Sequence, residues 1–422
     1  MDALDSKVVI VGAGQAACEL AAELCMQGHR GHITLVGEEP LLPYSRPPLS
    51  KGLLLGEVEA EQLLIRPSAT YADQGIEWLH GRAVALDRGA RQVRLEDGRR
   101  LDYDRLVLAA GGRPRQLPQA ELASAPNVHH LKTLDDARWL RAQLSHERHL
   151  VIVGGGYIGL EVAASARRLG LHVTLLEAQP RVLSRVAGEP LSRFFERVHR
   201  EEGVDLRLDV RVERFELAAQ GRVEAVRLHG GERLACDAVL VGIGQRANDE
   251  LAAEAGLHVD DGVLVDEGCR TTDANVLAIG DCSRRLQARG GPPLRLESVD
   301  NALQQARRAA ATIGGRVAPA ASPPWFWSNQ YDLRLQTVGL WTGCDRVVVR
   351  GEPAKGRTLA VFYLREGVLR AADVVSNPRD FALARKLVAA EVRVDAEALA
   401  DVSVPLNTLV GSARSAVPTH TA

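Results

Sequence analysis

Glycines recur at a fixed spacing near the start of the chain. Gly12-Ala13-Gly14-Gln15-Ala16-Ala17 follows an apolar run and precedes an alanine-rich segment, the context in which G-x-G-x-x-G/A binds a dinucleotide. Gly12 permits a tight turn, Gly14 lets backbone N–H groups approach a pyrophosphate, and Ala17 still allows close helix–strand packing. Glu38 follows the next apolar run and is suited to binding the hydroxyls of a ribose. We therefore predict a dinucleotide site here.

A second fingerprint occupies residues 154–159. Its three glycine positions are Gly154, Gly156 and Gly159. Glu177 closes the following apolar run, where a carboxylate accepts hydrogen bonds from an adenosine ribose and repels a 2′-phosphate. This favours NADH, although Arg181 and Arg185 follow nearby and leave NADPH open. Two fingerprints in one chain predict two bound dinucleotides, a flavin on one and a nicotinamide on the other.

The elements around both fingerprints follow one pattern. Residues 7–14 read as a buried strand and a glycine turn, 15–27 as a helix, and 33–36 as a second strand; residues 150–153, 157–169 and 172–176 repeat that order. A strand–turn–helix–strand order predicts a parallel sheet. The chain is therefore expected to contain a duplicated α/β architecture.

Composition and cysteine spacing limit the other functions. A net charge of −2 gives no global attraction to nucleic acid or to an anionic membrane, and no segment has the apolar length of a membrane span. The first residues lack the pattern of a signal peptide, so we expect a cytoplasmic protein. The six cysteines show neither redox-pair nor metal-ligand spacing, and we expect no metal site. Their positions are Cys18, Cys25, Cys236, Cys269, Cys282 and Cys344.

A third motif separates the two nucleotides. The segment 272–281, which ends in Asp281, resembles the second FAD-contacting motif of flavoproteins with two dinucleotide-binding domains. In such proteins the terminal Asp binds the ribityl chain, because a carboxylate can accept hydrogen bonds from the ribityl hydroxyls. Because this motif lies beyond the second fingerprint, the resemblance implies that a nicotinamide domain is inserted into a split FAD domain.

The chain as a whole resembles the FAD-dependent NADH–ferredoxin reductases of cytochrome P450 and ring-hydroxylating dioxygenase systems. The segments that carry the resemblance are 46–51, 106–114, 154–161, 272–281, 297–299 and 325–331. They span nearly the full length, including the C-terminal third. One departure is Asn329, which stands where relatives often carry Asp.

The resemblance implies a set of site residues. Those that match positions contacting FAD are Ala16, Glu38, Lys51, Val84, Lys132, Asp281 and Val299; an Arg is usual at the position of Lys132. Glu161 matches an acidic residue near the nicotinamide, and Trp327 an aromatic beside the isoalloxazine. Lys51 is the candidate for positive charge beside the flavin, paired with Glu161, as the flavin gains electrons.

The expected fold is α/β, with two Rossmann-like dinucleotide-binding domains in the glutathione-reductase-like arrangement and a smaller α+β C-terminal domain. The expected boundaries are 1–112 and 244–320 for the FAD domain, 113–243 for the inserted NAD domain and 321–422 for the C-terminal domain. In the last domain, the alternation of residue types predicts a small mixed sheet followed by helices.

The resemblance implies that electrons pass from NADH through FAD to a [2Fe-2S] ferredoxin. An NADH oxidase or disulfide reductase of the same fold is one alternative, which the missing cysteine pair disfavours. A non-catalytic NADH-binding flavoprotein of the apoptosis-inducing-factor type is the other. Ferredoxins of this kind are acidic, so a basic docking face is expected, with Arg66, Arg307 and Arg308 as candidates. Oligomeric state stays open.

Overall fold

The computed structural model describes residues 3–287 and 291–411. Its strands are β1 Val8–Val11, β2 Ile33–Gly37, β3 Ile76–His80, β4 Ala83–Asp87, β5 Gln92–Leu95, β6 Arg100–Asp102, β7 Arg105–Leu108, β8 Gly112–Pro114, β9 Val128–His129, β10 His149–Val153, β11 His172–Leu176, β12 Asp205–Arg207, β13 Val212–Leu217, β14 Val223–Leu228, β15 Arg233–Ala235, β16 Ala238–Val241, β17 Gln245–Ala247, β18 Val263–Val265, β19 Val276–Ala278, β20 Ser283–Arg285, β21 Trp325–Gln330, β22 Leu333–Gly339, β23 Arg346–Arg350, β24 Leu359–Arg365 and β25 Val368–Val375.

The α-helices are α1 Gln15–Met26, α2 Gly52–Leu55, α3 Ser68–Asp73, α4 Leu134–Gln143, α5 Tyr157–Arg168, α6 Glu189–Glu201, α7 Glu250–Glu254, α8 Val299–Ile313, α9 Pro378–Ala389, α10 Ala396–Ala400 and α11 Leu406–Gly411. Short 3-10 helices lie between them, at Ala3–Asp5, Pro47–Ser50, Ala60–Leu63, Ala120–Ser124 and Gly280–Cys282.

The chain divides into two compact units. The first comprises Met1–Pro48, Val58–Arg113 and Gln245–Ala321, and the second comprises Leu49–Glu57, Pro114–Gly244 and Ser322–Ala422. The second unit therefore includes the short Leu49–Glu57 segment as well as the second fingerprint and the C-terminal third. The finer three-domain division stays a prediction.

The first unit is built on a parallel sheet with the strand order β19-β7-β1-β2-β3. Successive residues of β1 face opposite sides of the sheet. Val8 and Ile10 pack into the cluster that contains α1 and α8, whereas Val9 and Val11 pack into the cluster that contains the antiparallel strands β4-β5-β6. Both faces are covered, which explains why β1 is apolar at every position.

The second unit repeats this plan and adds another sheet. Its parallel sheet has the order β12-β11-β10-β16-β9, beside the antiparallel strands β13-β14-β15. The duplicated α/β architecture is thus confirmed. The C-terminal sheet has the order β21-β22-β25-β24-β23, and every pairing in it is antiparallel. The expected mixed sheet is therefore wrong, because alternation of residue types reports a half-buried strand but not the direction of its neighbour.

Candidate functional site

The first fingerprint forms the turn between β1 and α1. Gly12 has φ +119°, and a Cβ atom at this position would lie 2.2 Å from the carbonyl oxygen of Ala109. A side chain is excluded by both the backbone conformation and the neighbouring strand. Ala17 is fully buried, which is consistent with close packing of helix on strand. Gly12 and Ala17 therefore maintain the turn itself.

Gly14 has a different reason to be glycine. It is the N-cap of α1 with φ −97°, a conformation open to any residue, and a Cβ atom there would meet nothing within 4 Å. The protein leaves this space open at a helix N-terminus, where backbone N–H groups and the helix dipole favour an anion. A dinucleotide pyrophosphate fits such a cradle.

The other residues expected to bind the flavin in this unit come largely from the same edge of the sheet. Glu38 and Asp281 follow the carboxyl ends of β2 and β19, which run parallel to β1, and ligands of such sheets bind at this edge. Glu38 is exposed. Asp281 follows Gly280 on a 3-10 turn. A Cβ atom added at Gly280 would lie 3.2 Å from the Ala16 methyl. The Asp281 motif and the start of α1 are thus adjacent.

The remaining flavin candidates occupy separate elements. Val84 is half-buried in β4, and Val299 is the half-buried first residue of α8. Lys132 belongs to the second unit, where its backbone N–H donates to Asp136 Oδ2 at 2.9 Å at the start of α4. Their contacts with a flavin stay predictions.

The second fingerprint repeats the geometry of the first. Gly154 has φ +111°, and a Cβ atom there would lie 2.4 Å from the Gly242 carbonyl oxygen. At Gly159 a Cβ atom would lie 2.1 Å from the Gly154 carbonyl oxygen. Gly156, the N-cap of α5, again has open space within 4 Å. The second unit therefore repeats the open glycine turn of the first, and its role in binding a phosphate stays a prediction.

Glu177 closes the second cradle. Its Oε2 accepts a hydrogen bond from the Gly155 backbone N–H at 2.6 Å, and its Oε1 accepts one from the Gln179 N–H at 2.8 Å. The carboxylate is therefore held beside the glycine turn. Arg181, by contrast, donates within its own loop and to α6, to acceptors at 2.7–3.0 Å on Ala187, Ser192 and Ser184. Arg181 is thus bound within its own loop and to α6, whereas Glu177 is held beside the glycine turn.

Glu161 is a buried carboxylate in α5 and is 5% exposed. Lys51 Nζ donates to its Oε2 at 2.6 Å, Ser50 Oγ donates to the same oxygen at 2.5 Å, and Ser328 Oγ donates to Oε1 at 2.6 Å. Ser165, one turn along α5, donates from its hydroxyl to the Ser50 carbonyl at 2.8 Å. The Lys51–Glu161 pair expected from the resemblance is thus present, and hydroxyl groups that sequence reasoning did not single out complete it.

A line of buried polar side chains continues from Ser328. Gln330 Nε2 lies 3.1 Å from Ser328 Oγ, Gln330 Oε1 lies 2.8 Å from His199 Nε2, and His199 Nδ1 lies 3.1 Å from the Tyr331 hydroxyl. Burial lowers the pKa of His199 to about 4, so its ring is neutral at pH 7. The signal that could have found Ser328 and Gln330 is their alternation on a strand, where residues two apart share a face.

Trp327 lies in an aromatic group on β21. Its ring is half-buried, 5.4 Å from the Trp325 ring and 6.4 Å from the Phe326 ring. The Phe326 ring lies 4.4 Å from that of Tyr157, the residue that follows Gly156. The sheet of the C-terminal third thus brings aromatic rings to the start of α5, and the role of Trp327 beside a flavin stays a prediction.

One basic residue proposed for docking is not at the surface. Arg308 is 5% exposed and donates to the Glu267 carbonyl at 2.8 Å, so its candidacy is wrong. It lies on the inner face of α8, whereas Arg307 faces outward and pairs with Glu19 and Glu23. Arg66 also pairs with Glu19, at 3.4 Å.

The six cysteines are all free thiols. Burial raises the pKa of each thiol, to about 11 at Cys282 and about 12 at Cys236 and Cys269. A thiol must ionise to act as a nucleophile. These environments therefore disfavour disulfide chemistry.

Neither a metal-binding cluster nor a membrane-spanning helix is found among residues 3–287 and 291–411. No His, Cys, Asp and Glu side chains are grouped there so as to hold a metal ion. Within the same residues, none of the helices combines the length and apolar character needed to cross a bilayer.

Known families match most of the chain. Residues 6–306 match the pyridine nucleotide-disulphide oxidoreductase family, and residues 325–410 match the reductase C-terminal family. Putidaredoxin reductase from Pseudomonas putida is 45% identical over 98% of this chain and 99% of its own length. Rhodocoxin reductase from Rhodococcus erythropolis is 43% identical over 94% of this chain and 93% of its own.

Solved structures give the same result. A crystal structure of the covalent complex of putidaredoxin reductase with putidaredoxin contains a chain with a TM-score of 0.95 and 44% identity, covering 97% of this chain and 99% of that one. The ferredoxin reductase for the CYP199A2 system from Rhodopseudomonas palustris has a TM-score of 0.91 and 40% identity, covering 95% and 99% of the two chains.

Proposed function

Because this chain belongs to the pyridine nucleotide-disulphide oxidoreductase family, among its ferredoxin reductases, we propose that it is an NADH:ferredoxin oxidoreductase. It takes a hydride from NADH onto FAD and delivers the electrons to a [2Fe-2S] ferredoxin that serves a cytochrome P450 or a ring-hydroxylating dioxygenase. When bound, FAD supplies the exchange between a two-electron donor and a one-electron acceptor. We expect the protein to work in the cytoplasm.

The observation that carries the proposal is the pair of open glycine cradles. Gly14 and Gly156 each cap a helix in an ordinary conformation, with nothing within 4 Å of a Cβ atom. The fold does not require glycine at either position, whereas a pyrophosphate approaching the backbone does. We assign FAD to the cradle that lies beside Asp281, and NADH to the cradle that Glu177 closes.

Charge and polarity at each cradle match these ligands. Glu38 and Asp281 supply carboxylates for ribose and ribityl hydroxyls in the first unit. Glu177 accepts from the adenosine ribose and repels a 2′-phosphate, which is why NADH is the proposed donor. Ala16, Ala17, Val84, Lys132 and Val299 are proposed as further flavin contacts, and Gly12, Gly154 and Gly159 shape the turns.

Lys51, Glu161 and Trp327 are the proposed catalytic residues. Lys51 provides positive charge that stabilises the electrons gained by the flavin, and Glu161 holds the Lys51 ammonium in one position. Trp327 offers an aromatic face, which orients a planar ring system by stacking. Orientation of this kind lowers the barrier to hydride transfer by fixing the reacting geometry.

The partner is proposed from the relatives. Putidaredoxin reductase forms a covalent complex with putidaredoxin in the crystal structure described above, and a relative from a Sphingomonas species is a ferredoxin–NAD(P)+ reductase. An acidic ferredoxin would associate through charge complementarity. Because the electrons move between proteins, this association must be reversible.

An anaerobic titration tests the proposal. The purified protein is titrated with NADH and, separately, with NADPH, while the flavin absorbance is recorded. We expect one equivalent of NADH to bleach the flavin and NADPH to act poorly. Colourless protein that cannot be reconstituted with FAD would contradict the proposal.

The acceptor is tested by ferredoxin-dependent reduction of cytochrome c under NADH. Fast reduction that requires added ferredoxin supports the reductase. Rapid oxygen consumption without ferredoxin would indicate an oxidase, and a long-lived charge-transfer complex with slow turnover would indicate a non-catalytic NADH-binding protein.

A further inference from the structure

The buried side chains Ser328, Gln330 and His199 form a connected series behind the Lys51–Glu161 pair, and no role has been assigned to them above. Ser328 is 0% exposed, Gln330 1% and His199 0%. Burying three polar side chains in a row costs free energy unless each is hydrogen-bonded. A series that ends on the carboxylate of a proposed catalytic residue therefore calls for an explanation beyond packing.

The hydrogen bonds in this series all run in one direction. Ser328 donates its hydroxyl proton to Glu161 Oε1, so its lone pair is what accepts from Gln330 Nε2. The oxygen of the Gln330 amide then faces His199 Nε2 at 2.8 Å.

This arrangement determines the tautomer of the His199 ring. Because Nε2 faces an acceptor, it must carry the ring proton, and Nδ1 accepts from the Tyr331 hydroxyl at 3.1 Å. The low pKa of His199 agrees with a neutral ring.

The direction of these hydrogen bonds matters because it makes the Ser328 hydroxyl a donor to Glu161 Oε1. Glu161 Oε2 accepts hydrogen bonds from both Lys51 and Ser50, whereas Oε1 accepts one from Ser328. With Oε1 held, the carboxylate cannot rotate about its terminal bond without breaking a charge-assisted hydrogen bond. The position of Glu161 Oε2, and with it that of the Lys51 ammonium, is therefore set from the Ser328 side.

We propose that Ser328, Gln330 and His199 are positioning residues: they fix the orientation of the Glu161 carboxylate and, through it, the place of the Lys51 charge during reduction by NADH. The role in flavin reduction rests on the proposed function. The hydrogen-bond series itself is independent of that function.

A double-mutant cycle tests the proposal. Anaerobic stopped-flow experiments measure the rate constant of flavin reduction at saturating NADH for wild type, Ser328→Ala, Lys51→Met and the double variant. We expect Ser328→Ala to slow reduction by about fivefold to tenfold, on the scale of the net contribution of one hydrogen bond. In the Lys51→Met background the same change should have almost no further effect, because residues that act as a unit are not additive. Ser328→Thr, which keeps the hydroxyl, should restore the rate.

Ser192→Ala is the matched control. Ser192 is a fully buried serine on α6, the helix that carries His199, but its hydroxyl donates to the Val182 carbonyl at 2.6 Å. Any effect of this change on the rate should persist unaltered in the Lys51→Met background. If Ser328→Ala and Lys51→Met were also additive, the positioning role would be disproved.

A second readout does not depend on catalysis. Nitrogen-15 NMR of the histidine side chains in the purified protein reports which ring nitrogen of His199 carries the proton. Wild type should show the Nε2–H tautomer. In Ser328→Ala the Gln330 NH2 loses its acceptor, so residue 328 no longer fixes the orientation of the amide, and the Nδ1–H tautomer should become detectable beside the Nε2–H tautomer. An Nδ1–H tautomer in wild type would overturn the series itself, whereas an absence of NADH-dependent reduction in wild type would overturn only the proposed function.

Discussion

Lys51 Nζ lies 2.6 Å from Glu161 Oε2, although the two residues are 110 positions apart in the chain. The Lys51 side chain is 18% exposed and that of Glu161 is 6% exposed. At such a shielded position the attraction between opposite charges is stronger than at the surface. The ammonium is thus held at one point, which is the condition under which a charge can stabilise a reaction without first reorganising.

The first prediction concerns this charge. Lys51→Met should slow flavin reduction by NADH by about 10–100-fold, because the electrons gained by the flavin lose a preorganised positive partner. Anaerobic stopped-flow spectroscopy at saturating NADH measures the rate constant. Lys355→Met makes the same chemical change at an exposed lysine and should leave the rate unchanged. An unaltered rate in Lys51→Met would refute the role assigned to Lys51.

The second prediction separates two glycines of one fingerprint. Gly14→Ala should fold normally but bind FAD at least about tenfold more weakly, roughly 1.4 kcal/mol, because its methyl group enters open space that the pyrophosphate needs. Gly12→Ala should instead destabilise the fold, since its Cβ atom would lie 2.2 Å from the Ala109 carbonyl oxygen. Flavin content, circular dichroism and thermal unfolding of the purified variants distinguish the two effects.

The outcome that contradicts this reasoning is a Gly14→Ala protein that retains full flavin content. Gly156→Ala offers the same test in the second unit, with NADH affinity as the quantity measured and Gly154→Ala as its destabilised counterpart. A Cβ atom at Gly154 would lie 2.4 Å from the Gly242 carbonyl oxygen.

The parts of the fold that were predictable are local in the chain. Each fingerprint, its preceding strand and its following helix are contiguous, so spacing and periodicity suffice to identify them. Glu38 and Glu177 could be placed because each follows a strand, and carboxyl ends of parallel strands share an edge, whereas Asp281 was assigned from the resemblance of its segment to a flavoprotein motif. The direction of the C-terminal strands was not predictable in this way, since it depends on which strands pair.

The hydrogen-bonded surroundings of Glu161 were predictable only in part. The resemblance pointed to Lys51 and Glu161, but Ser328, Gln330 and His199 come together from β21 and α6, which lie far apart in the chain. The sequence around a serine or a histidine does not indicate which buried side chain it will contact in the fold. Likewise, Arg308 follows Arg307 directly, and only the packing of α8 decides that one is buried and the other exposed.

The third prediction concerns the choice of donor. Glu177→Gln should reduce the preference for NADH over NADPH by about tenfold, roughly 1.4 kcal/mol, because a neutral amide no longer repels a 2′-phosphate. Its amide oxygen can still accept from the Gly155 N–H that Glu177 binds at 2.6 Å, although the Gln179 N–H loses its acceptor, so the side chain should stay beside the cradle. The ratio of kcat/KM values for the two donors is the measured quantity. Glu213→Gln, on β13, should leave that ratio as in wild type, and an unchanged ratio in Glu177→Gln would rule out Glu177 as the selecting charge.

The fourth prediction concerns stability and pH. Asp373 is buried in β25 and accepts a hydrogen bond from the Tyr363 hydroxyl at 2.6 Å, and burial raises its pKa to about 7. Between about pH 4 and 7 the native carboxyl keeps a proton that the unfolded chain, with an ordinary Asp pKa near 4, has released. Its contribution to stability is therefore fully present below about pH 4 and is lost as the pH rises through about 7.

Asp373→Asn removes this titration while keeping an oxygen that can accept from Tyr363. The variant should thus gain stability relative to wild type as the pH is raised from 5 to 8, by on the order of 3 kcal/mol. Thermal midpoints of the purified proteins at both pH values measure the change, and comparison with wild type cancels other titrating groups, such as His199. Asp345→Asn, at an exposed position in the same third of the chain, should show a constant difference from wild type. A constant difference in Asp373→Asn as well would mean that the buried carboxyl does not bind the proton that its surroundings favour.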